Sequence, residues 1–557
     1  MKNINFIIAA FFISLSTLLH AQSHNEEVTV EGSYTPQIRK SERIAKTPDI
    51  PKRDFNIPTY EINTEDFFYT YKVDLEPISP LSYTNNKSNR ITNNFVKAGF
   101  GTRLSPDFIF RHYSNITKKT SLGVGVVHNS TWLDMKDLVN TKYMNNAFNV
   151  SLTNRFSQFQ LHSYIDYHYD MYYLNAGANA DIDSITIPDN DIENRRNIHS
   201  LNVKLKANNN KSSYKSLYDE FLLDYNFNYI QGGMQENHLK FTAHLEHSNS
   251  WFNNDNNTQT LVADIRGEVD YIKQALFLLE FNPHLDFDGD FYNLHLGLRL
   301  DIKTNSTSIG GIYPDIKGSL FLFKKSAEFY AGIGGETKIN TLNDILKENP
   351  FIISNLSNAG EFDYEKTKIA LQAGFKFKAL NKISGNIGIR FRKIDNHIFY
   401  ISSFDNPNTF DILLNNCNLF NFITDIQFQM RDNLRLSANF SYNKYDLLAN
   451  SENIIYSEAW YKPEIEFAFK GIYMFDNHWS VNMSAYVEGY RYALINADQI
   501  EKLKPICDIQ LGCDYKLDNN LTLYAEIKNL IHNKYQLYYN YPSYGIQGFI
   551  GFKYKFL

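Results

Sequence analysis

Two pairs of histidine and serine have the spacing of a possible catalytic site. His128 with Ser130, and His112 with Ser114, stand two positions apart, which puts both members of a pair on one face of a strand. A serine nucleophile needs a histidine base and a third residue, such as Asn or Asp, that orients the imidazole. With 15 His in the chain, chance explains both pairs. We therefore predict no catalytic residues and no enzymatic activity.

Acidic residues and histidines also form two patterns that could bind metal ions. The acidic run from Asp286 to Asp290 resembles the start of a calcium loop, but Gly297 stands where that loop needs its last acidic ligand. A tight turn between two strands explains the run better. His244 and Glu246 share a strand face, but the sequence offers no third ligand and no helical zinc motif. We predict no metal site and no cofactor.

The elements that must carry these groups are β-strands. From Leu521 to Lys528, and again from Ile550 to Phe556, apolar residues alternate with small, polar or charged ones. A period of two indicates a strand with one apolar face and one wet face, and a wet face this charged fits a water-filled lumen better than a packed core. Such segments recur from Asn93 to the end of the chain. The pattern predicts an all-β fold, a transmembrane antiparallel up-and-down β-barrel of about 22 strands.

The lengths of the links between the predicted strands support this arrangement. Links after even-numbered strands are mostly tight turns, as at 324–325, 431–432 and 518–519, whereas the long links all follow odd-numbered strands. The long links are 132–144, 174–196, 340–361, 446–456, 493–503 and 531–543. Membrane barrels have short turns on the periplasmic side and longer loops on the outer side. We therefore expect both chain termini in the periplasm.

Three segments divide the chain. Residues 1–21 have the features of a secretion signal, with Lys2, an apolar run over 4–19 and Ala21 at a suitable cleavage point. Residues 22–92 contain six of the 15 prolines and little alternation, so we expect a short irregular segment, periplasmic or lumenal. Residues 93–557 are predicted to form the barrel. After the signal, no apolar run approaches the ~18 residues of a spanning helix.

The composition limits the classes of partner that the chain is expected to bind. Aromatic residues make up 15% of the chain while the mean hydropathy is only -0.39, as expected for a barrel with aromatic girdles and a polar lumen. The net charge of -6 argues against a nucleic-acid partner, and three cysteines exclude a disulfide framework. We expect the barrel to contact lipid and lipopolysaccharide in the outer membrane of a Gram-negative bacterium.

The C-terminal end of the chain resembles the end of TonB-dependent receptor barrels. In both, a strand ending in Asn-Leu, here Asn529-Leu530, is followed by a tyrosine-containing loop and a last strand that finishes in phenylalanine. Four residues fit the spaced glycine and aromatic pattern that the barrel-assembly machinery reads: Phe549, Gly551, Tyr554 and Phe556. Leu557 is a departure, because the usual pattern ends on the aromatic residue. The resemblance implies this machinery as a partner.

A second resemblance lies near the N-terminus. The residues Glu27, Val28, Thr29 and Val30 resemble a Ton box, the short strand that such receptors offer to the TonB protein by β-augmentation. An exposed strand before a linker is the alternative. A complete receptor would next carry a plug domain, but residues 31–92 are too few for one and lack its glycine-rich motifs. The chain resembles a small family member that lacks a complete plug.

A barrel this wide needs something in its lumen, because large barrels of this class are normally plugged. Residues 31–90, inward-folded outer loops or a partner protein could fill it. The resemblance implies an outer-membrane transport protein whose solute the sequence does not identify. The alternative is a structural or assembly barrel that docks a partner protein from the periplasm or the cell surface.

Overall fold

A computed structural model describes most of the chain from residue 94 onward. The described residues are 94–135, 141–174, 195–209, 218–249, 258–272, 274–304, 310–352, 362–379, 382–403, 408–431, 433–448, 457–496 and 499–556. The predicted signal peptide, the 22–92 segment and the Ton-box-like residues Glu27 to Val30 lie outside them. The fold described below lies within the unit Phe67–Leu557.

Within the described residues, 22 strands form one closed antiparallel sheet, which confirms the predicted barrel. Each barrel strand pairs with the next along the chain, and the last, β26, pairs with the first, β1. The barrel strands are β1 Phe95–Gly101, β2 Ser105–Asn115, β3 Thr120–Thr131, β4 Tyr143–Arg155, β5 Phe159–Tyr173, β6 Arg195–Asn209, β7 Tyr218–Ile230, β8 Met234–Asn249, β9 Thr258–Tyr271, β10 Ala275–Asp288, β11 Tyr292–Lys303, β12 Gly311–Leu322, β13 Ala327–Ile339, β14 Tyr364–Ala379, β15 Ile383–Ser402, β16 Phe410–Arg431, β17 Leu434–Leu447, β18 Ile465–Met474, β19 Trp479–Glu488, β22 Ile506–Lys516, β23 Leu521–Lys528 and β26 Gln547–Lys555.

The longest links between strands all leave one end of the barrel, which also has short links at 102–104, 231–233 and 272–274, whereas most links at the other, short-turn end are tight. The long links contain the helix α1 Leu342–Glu348 and two small hairpins, β20 Arg491–Asn496 with β21 Gln499–Leu503, and β24 Gln536–Tyr538 with β25 Tyr541–Pro542. Phe95 of β1 pairs with Lys555 of β26, so the barrel begins and ends at its short-turn end. No helix in the described residues is both long and apolar enough to cross a membrane.

Alternation along each strand separates an outward apolar face from an inward polar face. On β11, Leu296 and Leu298 are exposed on the outside of the barrel. Glu280 of β10 faces inward, where Arg266 Nη2 lies 2.5 Å from its carboxylate and Arg299 Nε lies 3.3 Å from it. The lumen wall therefore carries both charge signs, paired across neighbouring strands.

An arginine on the outward face is expected to destabilise the barrel in a membrane. Met483 is 38% exposed on the outside of β19, and Ser484 follows it on the inside. An arginine near the middle of a bilayer costs about 2–4 kcal/mol. We expect Met483→Arg to lower the free energy of unfolding in lipid vesicles by that amount, and Ser484→Arg to leave it nearly unchanged. Equal effects of the two substitutions would contradict this assignment of the faces.

Candidate functional site: a cap at the mouth of the barrel

The long-loop end of the barrel contains a packed hydrophobic core. It joins α1 and the small hairpins to the long-loop ends of many barrel strands. We call the described residues 340–352, 457–464, 489–496, 499–505 and 529–546 the cap. The buried hydrophobic residues that the cap contributes to this core are Leu342, Ile345, Leu346, Phe351, Ile352, Trp460, Tyr461, Ala493, Leu494, Leu503, Tyr538 and Tyr541.

Helix α1 is held at its N-terminus by a glutamate from another part of the ring. Glu236 of β8 accepts hydrogen bonds from the backbone N–H of Asn343, at 3.2 Å, and of Leu342. Asn228 of β7 donates to the same carboxylate at 2.6 Å. A carboxylate at this position satisfies N–H groups that have no partner within the helix and interacts favourably with the helix dipole. The contact ties the β13–β14 link to β7 and β8.

The segment that follows α1 connects two more strands. Arg196 of β6 is buried and donates hydrogen bonds to the carbonyl of Pro350, at 3.3 Å, and to that of Ile352. Ile352 also forms a parallel bridge with Phe410, the first residue of β16. A buried guanidinium that lost these carbonyls would be left without compensation for its lost water. The segment is therefore held between strands that are far apart in the sequence.

The β23–β26 link reaches the same segment through two tyrosines. The Tyr538 hydroxyl donates to the Glu348 carbonyl at 2.6 Å. The Tyr541 hydroxyl lies 2.5 Å from the Asn408 carbonyl and 2.9 Å from the Leu174 carbonyl. The Tyr541 ring stacks on Phe351, with 3.6 Å between the ring centroids. Because Leu174 follows β5 and Glu348 ends α1, this one link contacts two others.

Charged residues hold the remaining loops. Lys462, between β17 and β18, pairs with Glu348 of α1. Arg491 of β20 lies 2.8 Å from Glu488 and donates to the carbonyl of Gln536 at 2.7 Å. These contacts join the β17–β18 and β19–β22 links to the links already described.

Together these contacts make one packed body from loops that leave the ring at separate places. Trp460 is fully buried in this body. Burial raises the pKa of the neighbouring Tyr461 hydroxyl, so this side chain also stays uncharged in the core. Separating the loops would expose this apolar surface to water, which is unfavourable. The arrangement can therefore hold the loops together across the mouth until another interaction compensates for that exposure.

The structure places a third residue beside one of the two histidine–serine pairs. His128 Nε2 lies 3.0 Å from Ser130 Oγ, and its Nδ1 lies 2.7 Å from Asn146 Oδ1. Asn146 is the cross-strand neighbour of His128, which the sequence does not reveal. Ser130 is 0% exposed, so a substrate carbonyl has no access to Oγ in this arrangement. His112, of the other pair, stacks near the ring of Phe556, with 6.3 Å between centroids.

The four residues of the predicted assembly signal lie at the seam where the barrel closes. Phe549 is buried, and Gly551 pairs with Gly99 of β1. Tyr554 is exposed on the outward face, and Phe556 directly follows β26. Their recognition by the assembly machinery stays a prediction.

The cap residues were not predictable as a site from the sequence. The long links after odd-numbered strands indicate that loop material collects at one end, and inward-folded loops were one of three ways to fill the lumen. Which side chains meet there depends on pairs such as Glu236 with Leu342, which are 106 positions apart. Only the closed sheet brings them together.

No protein-family model matches the sequence, and no curated protein matches it either. Solved structures do match. The ferric-catecholate import receptor Fiu from E. coli K12 has a TM-score of 0.63 at 10% identity, over 83% of this chain and 82% of that chain. The siderophore receptor PirA from Acinetobacter baumannii has 0.62 at 12% identity, over 84% and 81%. The copper transporter OprC has 0.58 at 13% identity, over 83% and 80%.

At these identities the likeness concerns the fold. The similar proteins are receptors and a transporter. The strand number and closure found here agree with the resemblance at the C-terminal end of the sequence. The chain therefore has the closed 22-stranded barrel fold of the TonB-dependent outer-membrane receptors.

Proposed function

We propose that this protein is an outer-membrane transport protein that admits a solute through a capped barrel. The observation that carries the proposal is the packed cap at the long-loop end of a 22-stranded barrel. A diffusion pore needs an open mouth, whereas a receptor can use a closed mouth that a ligand opens by binding one state better than the other. The likeness in fold to import receptors supports the second type.

The proposal includes an orientation in the membrane. The short-turn end, with the first and last residues of the barrel, faces the periplasm, and the cap faces the outside. The general loop-length rule of membrane barrels supports this orientation. A solute would then meet the cap first and the charged lumen wall afterwards, while lipid and lipopolysaccharide contact the outward apolar face.

Energy for uptake would come from TonB through the Ton-box-like residues 27–30. A chain that offers this segment as an added strand needs free backbone N–H groups along it. Proline has no N–H and fits poorly within a paired strand. We therefore expect the full-length protein to retain the periplasmic part of TonB in a pull-down, and Val28→Pro to abolish that retention.

The control is Ser33→Pro, which places the same residue type outside the box and is expected to leave retention unchanged. If the wild-type chain retains no TonB but co-purifies with a stable partner protein, transport energised by TonB is wrong. The structural or assembly barrel is then the better explanation.

A further inference from the structure

Three side chains with metal-binding groups come together on the lumen wall. His284 and Asp286 lie on β10, and His295 lies on β11 directly opposite Asp286. His295 Nδ1 is 2.7 Å from Asp286 Oδ1, and His284 Nε2 is 3.6 Å from Asp286 Oδ2. One ligand atom from each residue lies within 4.8 Å of those from the other two.

We propose that this cluster binds a divalent transition-metal ion of the Zn²⁺ class. Imidazole nitrogen and carboxylate oxygen are ligands that Zn²⁺ and its neighbours in the first row prefer, whereas Ca²⁺ and Mg²⁺ take oxygen ligands. A metal about 2.0–2.2 Å from each ligand atom places those atoms about 3–4 Å apart. The contact of 3.6 Å between His284 Nε2 and Asp286 Oδ2 is too long for a good hydrogen bond and suits that separation. The 2.7 Å hydrogen bond between His295 Nδ1 and Asp286 Oδ1 would have to lengthen when the ion binds.

A buried ring nitrogen gives a second, independent indication. His295 Nε2 is buried and pairs with a carboxylate only through a long contact. Asp315 Oδ2 of β12 lies 3.4 Å from it, and Asn282 Nδ2 donates to the same carboxylate oxygen at 2.9 Å. Carboxylates that contact the second ring nitrogen of a metal-binding histidine orient that histidine. Asp315 is therefore placed to act as a fourth ligand or to support His295.

A glycine makes room for the two rings. Gly297 of β11 pairs with His284, and a Cβ built on it would lie 2.9 Å from the Cβ of His284 and 3.3 Å from Asn282 Oδ1. Without that side chain, the His284 and His295 rings approach to 4.3 Å between centroids. The missing side chain thus leaves space for two imidazoles to converge.

Carboxylates and cations both surround the cluster. Asp264 of β9 lies 3.9 Å from His284 Nδ1, while Lys317 and Arg299 lie 3.4 Å and 3.7 Å from the carboxylate of Asp315. Side-chain exposure rises from 7% at His284 to 20% at His295 and 33% at Asp286. The cluster therefore opens toward the lumen, so a small hydrated ion has a path to it. The competing explanation is a set of ion pairs between carboxylates and protonated histidines, which would bind no metal.

The test measures metal binding to the purified full-length protein in detergent. Co²⁺ serves as the probe, because tetrahedral or five-coordinate Co²⁺ absorbs visible light, and Zn²⁺ and Ca²⁺ serve as competitors. We expect one Co²⁺ per chain at saturation, displaced by Zn²⁺ and not by Ca²⁺. His295→Gln is expected to weaken binding by more than about tenfold.

The matched control is His168→Gln. His168 Nε2 also lies 2.7 Å from a carboxylate, that of Asp166, on the same strand, β5, but it is not part of a three-residue cluster in the described structure. This substitution is expected to leave the affinity unchanged. Folding of each variant is checked by heat-modifiable mobility on gels, and Asp286→Asn replaces His295→Gln if the latter does not fold.

Three results would overturn the proposal. They are no saturable Co²⁺ binding to the folded wild-type chain, binding that survives both His295→Gln and Asp286→Asn, and displacement by Ca²⁺ as readily as by Zn²⁺. The first would favour ion pairs alone. The proposal does not depend on transport, since a barrel that moves no solute could still bind the ion.

Discussion

Replacement of Gly551 by alanine is expected to prevent closure of the barrel. Gly551 and Gly99 face each other where β26 pairs with β1. A Cβ on Gly551 would lie 2.2 Å from the backbone oxygen of Ala98 and 2.7 Å from Cε1 of Tyr524. The tyrosine ring could turn away, but the carbonyl belongs to the partner strand itself. Relief of the contact requires the two strands to separate, which breaks the seam.

The measurement is refolding of the purified chain into detergent, followed by heat-modifiable mobility on gels. We expect the folded form to be lost in Gly551→Ala. Gly548→Ala is the matched control on the same strand, because a Cβ there meets only Thr102, at 3.8 Å. Equal yields of folded protein from both variants would contradict the steric explanation.

The same experiment separates packing from recognition. Refolding in detergent involves no assembly machinery, so a defect there comes from the seam itself. If Phe556→Ala refolds normally in detergent but accumulates poorly in the outer membrane, the role of this residue in the assembly signal gains support. A defect of Gly551→Ala in both settings would show that this part of the pattern serves closure directly.

Expulsion of α1 from the cap is expected to convert a silent barrel into a conducting one. Leu342 is 0% exposed and Ile345 is 1% exposed within the hydrophobic core. A carboxylate buried there without a partner is strongly unfavourable. The double variant Leu342→Asp, Ile345→Asp should therefore release the helix, and with it the segment held by Arg196. A 22-stranded barrel without a closed mouth or a plug would leave a wide aqueous lumen.

Single-channel conductance in a planar bilayer provides the readout. We expect the wild-type chain to be nearly silent and the double variant to show large, steady openings. Lys347→Asp is a control that changes the net charge by the same amount on the exposed side of α1. A large conductance of the wild-type chain would contradict the closed cap. A folded but silent double variant would show that another part of the chain, such as residues 31–92, occludes the lumen.

The barrel could be predicted from the sequence because every strand meets the same two environments. Each strand needs apolar residues outside and polar residues inside, so the period of two recurs strand after strand. On β11, Leu296 and Leu298 alternate with His295 and Arg299, and the structure puts the two sets on opposite faces. The link lengths also predict the end at which the longest loops lie, as found.

Contacts between side chains could not be predicted in the same way. The sequence pattern predicts a tight turn for the acidic run from Asp286 to Asp290. Residues 289–291 do link β10 to β11. Asp286 itself lies within β10, where its partner is His295. Likewise, His128 acquires Asn146 only because β3 pairs with β4 in one particular register. A shift of a single residue would turn each of these side chains to the other face.

The class of fold, the number of strands and the end of the barrel at which the longest loops lie follow from local alternation and link length, so the sequence predicts them. The folded chain was needed to show which loops meet in the cap, how Gly551 fits the seam and which side chains gather around His295. Those features depend on strand register and on closure of the ring, which bring together residues that no local pattern in the sequence relates.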